Sequence, residues 1–341
     1  MPEATEKEKL SLLGEWNVKG ATYNSITLDT CDYYFDGELI AKDGYVLDIL
    51  PRINEKRRAV DLTQVYKFRA DCSPSVIYLC TETPEIFDIT LNGKKISGAV
   101  KGEFRDKSFK LLDIAGAVKA GENELVLKST ISQSEKTYEH LSQSWAFESM
   151  KNSLSYDIEI EPIYIVGDFG ARLDAEKRNI DAVCYATAKL PVITEMPKTV
   201  IAEALAESGY PEFAGEITLE RKISVDDVNK FVTLRGLGMN SVHISVNGKE
   251  AGVKLYAPYD VDISEYLKVG ENTIEIKIVN NLRNMQGPLH LDANDGAWIG
   301  PASFFRESNV FRHEEGKGED CHDVFADFTS DIRLVNFGLR D

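Results

Sequence analysis

Apolar and polar positions alternate in short runs along most of the chain, and one such arrangement occurs twice. Ile89-Thr90-Leu91-Asn92-Gly93-Lys94 is followed by Leu112-Asp113-Ile114 and then by Lys119-Ala120-Gly121-Glu122-Asn123-Glu124-Leu125-Val126-Leu127. Ile244-Ser245-Val246-Asn247-Gly248-Lys249 is followed by Val261-Asp262-Ile263 and then by Lys268-Val269-Gly270-Glu271-Asn272-Thr273-Ile274-Glu275-Ile276. Asp113 stands eight residues before Gly121, and Asp262 stands eight before Gly270, so two separated landmarks keep one register. The simplest reading is two related β-domains. Asn-Gly between alternating apolar residues predicts tight hairpins at 92–93 and 247–248, because both central positions of a type I′ turn need positive φ. Period-two alternation predicts a strand with Ile274, Ile276 and Ile278 on one buried face. All of these landmarks are scaffold chemistry before they are binding chemistry.

Further runs at 25–29, 45–50, 65–70, 76–80 and 87–91 predict strands, with turns at Asp36-Gly37 and Asp43-Gly44. Residues 135–150 carry Tyr138, Leu141, Trp145 and Met150 at three- to five-residue steps and predict a helix. Residues 154–166 alternate as a strand, with Pro162 at an edge or bulge. Pro191 and Pro197 mark a seam between residues 1–190 and 191–341. Beyond it, strands are predicted at 215–223, 231–235, 241–246 and 332–339, and residues 280–327 form a long irregular stretch.

At 341 residues the chain is long enough for two ordinary domains, and 43% hydrophobic with 28% charged residues is a globular composition. A net charge of −17 opposes binding to nucleic acid or anionic membranes. Residues 1–9 lack the apolar stretch of a secretory signal and no run is long enough to span a bilayer, so the expected location is cytoplasmic. Cys31, Cys72, Cys80, Cys184 and Cys321 are scattered and form no CxxC pair, which favours buried free thiols over disulfides or zinc.

Residues 213–219, 256–263 and 281–290, with the two Asn-Gly-Lys and Gly-Glu-Asn pairs, resemble the galactose-binding-like jelly rolls of glycoside hydrolases. Residues 162–170 and 300–305 extend the resemblance, which runs through most of the chain from about Ser25. The similarity is to the carboxy-terminal region of large bacterial enzymes like the family 106 α-L-rhamnosidases, and to the sugar-binding domain of family 2. It implies an all-β fold, two tandem jelly-roll β-sandwiches with a few short helices. In such enzymes the catalytic carboxylates sit on a separate α/β barrel, and this chain shows no βα alternation of that length. A non-catalytic region is therefore expected, with glycan and a catalytic domain of the same or another chain as partners. An active hydrolase using loop carboxylates and a protein-interaction module are the alternatives.

No pair of carboxylates stands out by context, and none of the five histidines accompanies a nucleophile elbow, so no catalytic residue is assigned. For glycan, an aromatic face and polar groups for the hydroxyls are required. Tyr256, Tyr259, Arg283, Asn284, His290 and Trp298 supply them from the second domain's irregular loops, and each has a structural reading as well. Asp292, Asn294 and Asp295 resemble the front of a calcium loop, but Ser303 stands where an EF-hand needs glutamate, so an acidic turn is favoured there. The family resemblance keeps a structural calcium ion open. Trp16 and Trp145 read as packing residues.

Overall fold

The computed structural model describes residues 7–144, 154–180, 184–287, 289–290 and 330–340. The chain is all-β and sandwich-like, with three short α-helices among the described residues, Ile49–Lys56, Glu135–Ser144 and Arg283–Gln286. It divides into two compact units that interleave in sequence. An inserted unit comprises Ser25–Phe169 and Val192–Glu195, and a flanking unit comprises Met1–Asn24, Gly170–Pro191 and Met196–Asp341. The seam expected at 190/191 separates the chain differently, because it leaves the first 24 residues with the inserted unit. The strand Glu15–Ala21 instead hydrogen-bonds to Glu216–Val225, which places the amino-terminal segment in the flanking unit.

In the inserted unit one sheet runs Glu103–Phe104, Asp106–Asp113, Ile77–Thr81, Ile163–Gly167, Asn24–Leu28. The other pairs Val60–Ala70 with Gly121–Ile131 over eleven residues, then continues through Asp88–Leu91 to Lys94–Lys95. Thr30–Phe35 and Glu38–Tyr45 extend it on the opposite side of Val60–Ala70. Val60–Ala70 alternates as a half-buried strand should: Val60, Leu62, Tyr66, Phe68 and Ala70 are buried, and Gln64 is the one polar member of that inward row. Ile163–Gly167 is buried at every position, as a central strand between two neighbours.

In the flanking unit a six-stranded sheet runs Thr199–Ile201, Glu15–Ala21, Glu216–Val225, Gly270–Asn280, Met239–Val246, Lys249–Lys254. Ile274, Ile276 and Ile278 are fully buried in its core with Trp16, Tyr210, Phe213, Leu219 and Phe337. Each such isoleucine contributes about 2–3 kcal/mol by leaving water. Trp16 also donates from Nε1 to Leu12 O at 2.8 Å, and the Arg221 guanidinium lies 4.3 Å from its ring centre. Small sheets flank this one, including Arg235–Leu237 with Gly338–Arg340 near the carboxy terminus. Gly338 approaches residues 202–203 so closely that a Cβ would stand 2.6 Å from Ala202 O.

Both copies of the duplicated pattern form the same hydrogen bonds, one in each unit. Asn92 and Asn247 lie at φ 52°, followed by Gly93 and Gly248 at 76° and 79°. Asn92 Nδ2 donates to Ala117 O at 2.9 Å and to Asn123 Oδ1 at 2.8 Å, while Asn92 Oδ1 accepts from Glu124 N at 3.1 Å. Asn247 Nδ2 donates to Tyr266 O at 2.9 Å and to Asn272 Oδ1 at 2.8 Å, while Asn247 Oδ1 accepts from Thr273 N at 3.1 Å. Asn123 and Asn272 are each 1% exposed. Each clamps the backbone four residues before it, accepting from Lys119 N or Lys268 N and donating to the same residue's carbonyl. The Asn-Gly turn and the Gly-Glu-Asn turn are thereby tied into one clasp.

Three expected elements differ. Residues 45–50 form no strand: Val46–Asp48 is a 3-10 turn that leads into the helix Ile49–Lys56. Val46, Ile49, Leu50 and Ile53 are its buried residues, at helical spacing, and Pro51 sits in the first turn where no N–H is needed. Residues 154–162 lie outside any strand, although 163–167 is one. Gln133 takes the place of a neighbouring strand there, accepting from Asp157 N at 2.8 Å and donating to Ile158 O at 2.7 Å. The strand expected at 332–339 is two, Ile332–Val335 and Gly338–Arg340, in different sheets. Of the helix expected at 135–150, Glu135–Ser144 is present, and Trp145 and Met150 lie outside the described residues.

Candidate functional site

In the flanking unit, Val242 pairs with both Lys254 and Ile278, so the chain leaving Lys249–Lys254 and the chain leaving Gly270–Asn280 emerge at one end of the sheet. Tyr256 follows the first, and Arg283 and Asn284 follow the second. Two strand spacings, about 10 Å, separate the two exits. Tyr256 is 77% exposed beside Leu255 at 65%, an apolar and aromatic surface with no role in the core. Tyr259 is half-buried, and its carbonyl accepts from Leu234 N at 2.9 Å.

The other expected ligand residues are placed differently. Asn284 is 3% exposed, and its side-chain amide is occupied by the fold, donating to Pro211 O and Val335 O and accepting from Val335 N at 2.8–2.9 Å. It joins three segments and presents no free edge to a sugar. His290 is buried at 4% exposure, next to Leu289, whose carbonyl accepts from Arg333 N. Arg283 opens the short helix, its N–H donating to Asn281 Oδ1 at 2.9 Å, and its side chain is partly buried. Trp298 and the expected calcium residues Asp292, Asn294 and Asp295 lie outside the described residues. Among the described residues no group of three or more His, Cys, Asp or Glu side chains is arranged to hold a metal ion.

A second constellation lies in the inserted unit. Gln64, Tyr66, Thr81, Phe87, Leu127, Ile160 and Ile163 line a slot whose acidic members are Glu82, Glu159 and Glu161. Gln64 Nε2 donates to Tyr66 OH at 2.7 Å, and its buried Oε1 has no hydrogen-bond partner among the described residues. Loss of water around it, then the charges of Glu82 and Glu159, push the Glu161 carboxyl up to about 7. A carboxylic acid half-protonated at neutral pH beside other carboxylates is the arrangement of a general acid. The space tells against that use. The slot holds about 10 Å³, room for a single water and far less than a pyranose ring.

Sequence reading missed Glu161 because Asp157, Glu159 and Glu161 look like the solvent side of a strand. The available signal was the junction itself: acidic residues meet Pro162 and then five wholly apolar or small residues that must be buried. Among the described residues Cys31, Cys72, Cys80 and Cys184 are free thiols, Cys72 only partly buried, and Cys321 lies outside the described residues. Cys31, Cys80 and Cys184 are buried, and burial pushes Cys31 and Cys80 up to about 12, which makes them poor nucleophiles.

No family model matches the chain, and no curated protein matches it. Solved structures that align with it include the rhamnosidase from Novosphingobium sp. PP1Y, at 16% identity over 92% of this chain and 25% of that one, with a TM-score of 0.23. The β-D-mannosidase from Dictyoglomus thermophilum aligns at 15% identity over 80% of this chain and 31% of that one, TM-score 0.25. A β-glucuronidase from Lactobacillus rhamnosus aligns at 11% identity over 79% and 44%, TM-score 0.29. The chain spans less than half the length of each of these enzymes. At such TM-scores and identities nothing about activity transfers.

Proposed function

We propose that this chain is a non-catalytic β-sandwich region of a bacterial glycoside hydrolase of the rhamnosidase kind, one that supports a catalytic domain and binds glycan at the Tyr256 end of the flanking unit. The observation that carries the reading is the exposed Leu255-Tyr256 surface at a sheet end. An aromatic ring held in water can pack against the C–H face of a pyranose, and the core has no other use for it. The paired asparagine clasps support an origin by internal duplication, and the resemblance of residues 256–263 and 281–290 to sugar-binding jelly rolls supports the ligand class. Calorimetric titration of the full chain with rhamnose- and galactose-containing oligosaccharides tests it. Weak binding is expected, reduced about tenfold by Tyr256→Ala, the ~1.4 kcal/mol an aromatic contact contributes. A flat response to every oligosaccharide would leave only the supporting role.

The acidic slot favours a second reading, hydrolysis by Glu161 with Glu82 or Glu159 as its partner. Its small volume makes it the weaker one. Incubation with nitrophenyl glycosides separates the two: turnover that disappears in Glu161→Gln would replace the binding reading with an enzymatic one.

A further inference from the structure

The duplicated clasp is followed by different chain in its two copies. After Asn247-Gly248 the return strand Lys249–Lys254 runs six residues alongside its partner. After Asn92-Gly93 the return strand stops at Lys94–Lys95, and the chain turns away through Ser97, Gly98 and Ala99. The excursion is pinned at both ends: Ile96 N donates to Ile89 O at 2.9 Å and Lys101 N to Leu111 O at 2.8 Å. Between it and residues 112–117 lies a groove of about 330 Å³, at the lower end of the ~300–1,000 Å³ range of small-ligand sites.

The charged side chains lining this groove are Lys94, Lys95, Lys101 and Asp113. Lys94 Nζ donates to Gly116 O at 3.0 Å, which holds that ammonium against one wall. Lys95 pairs with Asp88 at 2.8 Å, and Lys101 makes no ion pair among the described residues. Asp113 Oδ1 is engaged by Ala115 N at 3.0 Å. The groove's lining carries three cationic side chains against one acidic one, in a chain of net charge −17. A local reversal of sign on a strongly acidic molecule concentrates anions where the rest of the surface repels them.

We propose that this groove binds the carboxylate of an acidic saccharide, a uronate unit, through Lys101 and Lys94, with the groove's backbone groups meeting the hydroxyls. That the anion is a saccharide rests on the glycan-binding reading above; the preference for a carboxylate rests on the groove alone.

The test is titration of the full chain at low and high salt with trigalacturonate, its methyl ester, a neutral galactose trisaccharide and a short DNA strand. Trigalacturonate is expected to bind and the methyl ester to bind at least tenfold more weakly. High salt and Lys101→Gln should each weaken the acid about tenfold. Lys101→Gln removes no hydrogen bond of the fold, so its melting temperature is expected to match the parent. Lys94→Gln should add to the loss. Equal binding of acid and ester, unchanged affinity in Lys101→Gln, or DNA bound as well as the saccharide would each overturn the proposal. Neutral glycans binding through Tyr256 while trigalacturonate does not would overturn the groove and keep the wider reading. The reverse pattern would keep the groove and remove the Tyr256 site.

Discussion

A buried asparagine is an expensive residue unless every polar atom is used, and Asn123 and Asn272 use theirs on backbone groups of two successive turns. Replacing Asn272 with alanine leaves Lys268 N and two carbonyls without their partner, and about 2–3 kcal/mol of stability is expected to go, read by denaturant unfolding. Glu161 works through charge instead. Its carboxyl is raised from 4.5 to about 7 on folding, so its stabilising contribution is complete below about pH 4.5 and is lost as pH rises through 7. Loss of water around the carboxyl is the larger cause and repulsion by Glu82 and Glu159 the smaller, and because the residue as a whole stays solvent-accessible the effect is modest. Melting temperatures between pH 6 and 8 are expected to fall more in the parent than in Glu161→Gln; identical slopes would remove this role. The exposed Tyr256 was legible in the sequence as an aromatic in a proline-containing loop. Asn284 was misleading, because an asparagine that joins buried backbone segments and one that waits for a sugar look alike before the fold is known.

At the scale of elements, hydrophobic spacing identified strands wherever backbone pairing and burial agreed, as at Gly270–Asn280. It failed where a side chain took over the backbone's bonding. The alternation in 154–162 is real, but Gln133 satisfies part of that segment's main chain, and Pro162 supplies no N–H. Gln133→Ala is expected to free this segment: hydrogen exchange and proteolytic cleavage should rise within 154–162, while Val60–Ala70 stays protected. Residues 45–50 failed for another reason. A run of six apolar and acidic residues fits both periods, and only Ile53, one turn further on, reveals the helix.

The all-β character of the whole molecule was legible because turn residues and short alternating runs recur along its length. Its division was not, since contiguity in sequence is the only guide a linear reading has. Trp16 and Val18 alternate as a strand should, but nothing local says that the partner, Glu216–Val225, lies about 200 residues on. A fragment of residues 191–341 lacks that strand and the tryptophan, and it is expected to show no cooperative thermal transition where the full chain does.

The same separation has a consequence at the ribosome. The strand carrying Trp16 is made about 200 residues before its hydrogen-bonding partner Glu216–Val225, roughly 10–40 s earlier at ~5–20 residues per second. Meanwhile the continuous stretch Ser25–Phe169 is fully translated. The nascent protein therefore carries an unpaired, tryptophan-bearing edge through that interval, and that edge is where a chaperone would find it.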